Sequence, residues 1–156
     1  MKPPATNPAH DEIGRLVNGA AAVIKRDPKG ATAMLERAYV IAREGADDTE
    51  AAIVAEELSR AWSRRRSPAR SLHHASRATR LAPARRAAWT TLGKACEIVA
   101  SRTEAPGKQG RARALYRAAA AAFKKAASLT KDPEDRRWLL ELAGDAARQG
   151  RTTPAA

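Results

Sequence analysis

The chain has 156 residues, 44% of them hydrophobic and only 4% aromatic, with 29 Lys and Arg against 17 Asp and Glu for a formal charge of +12. That length suits one domain with its own core, and an alanine- and arginine-rich composition without alternating β-branched runs points to an all-α protein. The lone cysteine, Cys96, excludes an internal disulfide, and no run approaches the ~18–20 apolar residues of a membrane span.

Met1 to His10 carries no apolar core of a secretory signal, so the expected setting is cytoplasmic. Seven helices are predicted in chain order, over about 8–26, 28–44, 48–65, 68–82, 84–101, 109–131 and 133–149. Four starts are announced by Asn7-Pro8, Asp27-Pro28, Ser67-Pro68 and Asp132-Pro133. In each pair the first side chain can accept from free amides of the first turn, and proline fits the position where a missing N–H costs nothing. Asp47 with Glu50 predicts a fifth start of capping-box type, and Gly45 and Gly150 are expected stops. Met1 to Thr6 and Thr152 to Ala156 lie outside any cap and are expected to be mobile, with 1–7 and 151–156 as flexible termini. Ser101 to Gly110, holding Pro106, Gly107 and Gly110, reads as an exposed loop.

Apolar residues within these helices recur at helical spacing. Trp89, Leu92 and Cys96 share one stripe, Gly93 permits close approach of a second helix, and Ala78, Leu81 and Pro83 precede them. One repeat earlier stand Ala55, Leu58 and Trp62, with Ser59 where the glycine falls, followed by Ser71, Ala75, Ala78 and Leu81. Ala31, Leu35, Ala38 and Ile41 mark an earlier second helix, and Ala119, Phe123 and Ala126 a later one. On the last helix Trp138, Leu142 and Ala146 make the expected apolar stripe.

The pattern A-x-x-L-x-P followed by W-x-x-L-G-x-x-C resembles the tetratricopeptide (TPR) family, whose repeat of about 34 residues is a pair of antiparallel helices. The resemblance implies a single domain over 8–150 built as a TPR-like α-α superhelix. Repeats would span about 12–45, 52–85 and 86–131, with 133–149 as a C-terminal capping helix. It also implies a non-catalytic protein-interaction module, because stacked repeats form a concave surface that holds partners. The first helix of each repeat would line the groove, presenting Arg60, Ser63 and Arg64 from one repeat and Thr90, Lys94 and Glu97 from the next. In the chaperone-binding subset of the family, Lys, Asn and Arg residues clamp a terminal carboxylate. The matching positions here are Leu16, Ala20 and Glu57, so the clamp is absent.

The charge is unevenly spread: residues 1–57 sum to −3, 58–96 to +10 without one carboxylate, and 97–156 to +5. Such a field favours an anionic partner. The expected occupant of the groove is an acidic segment of a partner protein, held by Arg60, Arg64 and Lys94 with Ser63 and Thr90. The alternative is nucleic-acid binding, to RNA or DNA, through the Arg-rich face of Arg70, His73, His74, Arg77 and Arg80. Self-association through an exposed end of the solenoid is a third reading.

No enzyme, cofactor or metal site is expected. Adjacent His73 and His74 point about 100° apart on a helix, and no Cys, Asp or Glu lies between Leu58 and Ala95 to complete a metal shell. Cys96 sits on an apolar stripe, which suits a small buried hydrophobe rather than a nucleophile.

Overall fold

A computed structural model describes residues 7–45, 47–103 and 107–153. Those residues form seven helices: α1 (Pro8–Val23), α2 (Pro28–Glu44), α3 (Asp48–Arg64), α4 (Pro68–Leu81), α5 (Arg86–Ser101), α6 (Gln109–Ser128) and α7 (Pro133–Thr152). No strand occurs among the described residues. Each helix packs on the next in the chain, and α3 also touches α5. The architecture is the predicted all-α stack of helix pairs with α7 at its C-terminal end.

Four of the five predicted caps form. Asn7 accepts from the Ala9 amide at 3.1 Å, Asp27 from Gly30 at 2.8 Å, Asp47 from Glu50 at 2.8 Å, and Asp132 from Glu134 and Asp135 at 2.8 and 3.2 Å. The reciprocal arm of the Asp47 box does not form, because Glu50 instead meets His10 Nδ1 at 2.6 Å, tying α3 to α1. Ser67 makes no side-chain cap. At the end of α3 the Ser67 amide donates to Trp62 O at 2.9 Å and Arg66 to Ser63 O at 3.0 Å. This is a Schellman motif, and Arg66 holds its left-handed position (φ 56°) where glycine is usual.

Gly150 is not a stop. It lies buried inside α7, where a Cβ would stand 3.2 Å from Tyr116 Cβ, so its small size serves the α6–α7 crossing. Arg151 and Thr152 are helical, and Thr153 caps α7 while its carbonyl accepts from Arg113 Nε at 2.8 Å. Arg151 and Thr152 thus belong to α7, Thr153 to its cap, and Asn7 to the cap of α1. Residues 1–6 and 154–156 lie outside the described residues, as do 104–106 of the expected loop. What is described of that loop begins packed: Thr103 is buried, with its hydroxyl on Val99 O at 2.6 Å.

Small side chains let the helices approach closely. Leu35, Val54, Leu58 and Trp62 centre an N-terminal core, and Phe123, Leu139 and Cys96 a C-terminal one; Ala55, Ala78 and Ala88 meet between them. Two tryptophans depart from expectation. Trp89 is only half-buried, since Ala88 takes the place against Ala78 and the indole N–H reaches out to Pro83 O at 2.8 Å. Trp138 is 44% exposed, because Leu139, Ala143 and Ala146 form the buried stripe of α7, one residue round from the predicted one.

Candidate partner-binding groove

Odd-numbered helices line a single open concavity of about 790 Å³. Alternation of this kind follows from the fold: in a stack of antiparallel pairs, the first helix of every pair falls on the same side. α1 supplies Ala21, and the turn that follows it Ile24 and Lys25; α3 supplies Glu57, Ser59, Arg60, Ser63 and Arg64. α5 supplies Arg86, Thr90, Thr91, Lys94 and Ile98, and α7 adds Asp135 and Trp138. All five predicted groove residues, Arg60, Ser63, Arg64, Thr90 and Lys94, are thus brought together.

The floor is small and polar. Ser59 and Ser71 are buried and share a hydrogen bond at 3.1 Å, joining α3 to α4 beneath the groove. Cations stand round the rim in two conditions. Arg60 is paired to Glu57, one turn back on the same helix, and Arg86 to Asp135 of α7. Arg64, Lys25 and Lys94 form no ion pair among the described residues. The Lys94 ammonium instead lies 5.4 Å from the centre of the Trp138 ring, a cation–π contact. Glu97, expected in the groove, is not among its lining residues. Burial raises its pKa, the nearby charge of Asp145 adds to the rise, and Lys94 opposes it.

Two contributors are not legible as groove residues. Trp138 belongs to the apolar stripe expected of the last helix, and Asp135 lies in the first turn of α7; both enter because α7 occupies the site of a fourth first helix. A third omission is structural. Glu56, 2% exposed, accepts from Arg85 Nε at 2.6 Å and Nη2 at 3.3 Å, pinning the α4–α5 turn to α3 just below the groove. The block of unbroken positive charge in sequence is therefore partly neutralised by Glu56 and Glu57 before it and Asp135 after it.

The alternative face lies on α4. Arg70, His73 and Arg80 are exposed, and His74 and Arg77 half-buried. The Arg70 guanidinium sits 4.3 Å from the Trp62 ring centre, beside Arg65 at 4.2 Å, and Arg77 sits 4.8 Å from that of Tyr39. His73 and His74 meet edge to face at 5.3 Å. Burial first, then the charges of His73, Arg77 and Arg70, lower the His74 pKa to about 4. Cys96 is buried and its thiol is pushed up to about 11 by desolvation and then by Glu97, far from a reactive thiolate. No group of three metal-ligating side chains occurs among the described residues, and none of their helices is long and apolar enough to cross a membrane.

No family model matches the chain, and no curated protein matches it. Among solved structures it is similar to the Sgt2 TPR domain from Aspergillus fumigatus, at 20% sequence identity and a TM-score of 0.65, covering 100% of this chain and 92% of that one. With seven helices packed consecutively among the described residues and a groove lined mainly by the odd ones, the chain has the TPR-like fold that its W-x-x-L-G element resembles.

Proposed function

We propose that the chain is a non-catalytic adaptor that holds an acidic segment of a partner protein in the groove between α1 and α7. One observation carries this reading: Arg64, Lys94 and Lys25 face one concavity without an ion pair among the described residues, above a floor of hydroxyls. Charge-assisted hydrogen bonds from such groups select carboxylates by geometry, and Ser63 and Thr90 add neutral ones. Arg60 contributes after exchanging Glu57 for the ligand. Trp138 offers a flat, half-exposed apolar surface of the kind that dominates interface energetics. The reading needs no cofactor and places the protein in the cytoplasm.

Affinity purification from the native host, with nuclease-treated and untreated extracts compared, identifies the partner. Its acidic segment is then synthesised and titrated against the purified chain. Reversal of Arg60, Arg64 and Lys94 to Glu is expected to abolish binding, while reversal of Arg70, Arg77 and Arg80 leaves most of it. A partner released by nuclease, or a peptide that ignores the groove triple variant, refutes the reading.

A further inference from the structure

α4 carries a second cationic surface outside the groove. Arg70, His73, Arg77 and Arg80 recur at three- and four-residue spacing, which puts them on one helix face over about 15 Å. Arg66, exposed in its left-handed position, stands in the turn just before α4. Seven arginines of the described residues find carboxylates: Arg15, Arg37, Arg43, Arg60, Arg85, Arg86 and Arg148, none of them on α4. The arginines of the α4 row have none among the described residues.

Like charges one turn apart destabilise a helix by a few tenths of a kcal/mol per pair. Here the arrangement is also held in place. Trp62 and Tyr39 carry the guanidiniums of Arg70 and Arg77 at 4.3 and 4.8 Å, which limits their rotamer freedom before any ligand arrives. Arg102, from the end of α5, donates to Arg66 O at 3.3 Å and brings one more cation to the same end.

We infer that this α4 face is a docking surface for the phosphodiester backbone of double-stranded DNA, bound without sequence preference. A row of separate cations along one helix face matches a row of phosphates. The exposed large hydrophobics among the described residues are Met34, Val40, Trp138 and Leu140, none of them on α4. The face therefore has no apolar wedge for a lipid bilayer and no exposed Phe, Tyr or Trp on which unpaired bases could stack. B-form DNA admits an α-helix at its major groove, and the deep, narrow groove of A-form RNA does not. The surface is independent of the acidic-segment reading of the groove.

The test is fluorescence anisotropy of a labelled 20-base-pair DNA duplex between 50 and 200 mM KCl. With four phosphate contacts, affinity is expected to fall roughly a hundredfold over that range. Arg70→Gln, Arg77→Gln and Arg80→Gln should each make the log–log salt slope shallower by about 1. Arg66→Gly should do the same, and glycine suits that backbone position, so loss of binding by this variant is not loss of fold. Arg70→Lys and Arg77→Lys should keep most of the affinity. Arg64→Gln with Lys94→Gln should leave the slope unchanged. The inference is overturned if the α4 variants bind like the parent, or if the groove pair removes as much binding as they do. It is equally overturned if an RNA duplex binds as tightly as DNA, or if phosphatidylserine vesicles bind through α4 while DNA does not.

Discussion

Phe123 fills the space that a side chain on Gly93 would need. A Cβ built there stands 2.6 to 2.8 Å from three atoms of the ring, closer than any side chain tolerates. The glycine of the W-x-x-L-G element is thus fixed by one partner on α6, the helix displaced along the chain by the 102–108 connection. Gly93→Ala should cost about 1–3 kcal/mol by overpacking. Gly144→Ala, whose Cβ would meet only the tip of Arg148 at 3.7 Å, should instead stabilise by about 0.5–1 kcal/mol through helix propensity. Urea midpoints measured on both variants check the pair, and equal effects would show that α5 and α6 can separate freely.

The Glu56–Arg85 ion pair should respond asymmetrically to truncation. Arg85 is about one-third exposed and can turn to water, whereas Glu56 cannot. Arg85→Ala leaves a buried carboxylate unpaired and should cost about 3–5 kcal/mol. Glu56→Gln keeps an acceptor in place and should cost less than half as much. Thermal unfolding of the two variants, with the double variant closing the cycle, measures the difference.

Trp62 and Trp138 should behave oppositely. Trp62→Ala empties a core site and should cost about 3–5 kcal/mol. Trp138→Ala should change stability by less than about 1 kcal/mol, since nearly half of the ring already faces solvent. On the proposed reading it should nonetheless weaken the partner's peptide at least tenfold. Loss of stability without loss of binding would return Trp138 to the core.

Replacing Arg66 by glycine should stabilise the fold by about 0.5–1 kcal/mol. The gain comes from relieving a side chain held at positive φ in the Schellman motif. Arg66→Ala should give no such gain, because alanine meets the same Cβ clash. Guanidinium unfolding of both separates this backbone effect from the loss of charge.

His74 makes stability fall with acid. Its folded pKa of about 4 lies below the ordinary value of 6.5, so between those limits the unfolded chain binds the extra proton. Stability contributed by the neutral ring is complete above about pH 6.5, is lost as pH drops toward 4, and changes no further below it. Proton NMR of the imidazole should titrate near 4, and His74→Gln should remove this part of the acid sensitivity. An unshifted titration would mean that the ring is solvated. Cys96 should resist alkylation until the protein unfolds, as its pKa of about 11 implies.

Local chemistry written along the chain determined the helices and their pairing. Proline after Asn or Asp set the starts, and the spacing of Leu58, Trp62, Leu92, Cys96 and Phe123 marked which faces turn inward. The same spacing placed Arg60, Ser63, Arg64, Thr90 and Lys94 on first helices, from which a common groove follows once pairs stack. Tertiary structure decided what depends on a neighbour distant in sequence. Gly150 looked like a stop until Tyr116 packed against it. Trp138 joined an apolar stripe in sequence, but a terminal helix is covered on one side only, and Leu139 took that side. Net charge showed the same limit, for Glu56, Glu57 and Asp135 neutralise Arg85, Arg60 and Arg86 across helix contacts or turns. Periodicity reports one helix at a time, whereas burial and charge pairing are properties of the surface that two helices share.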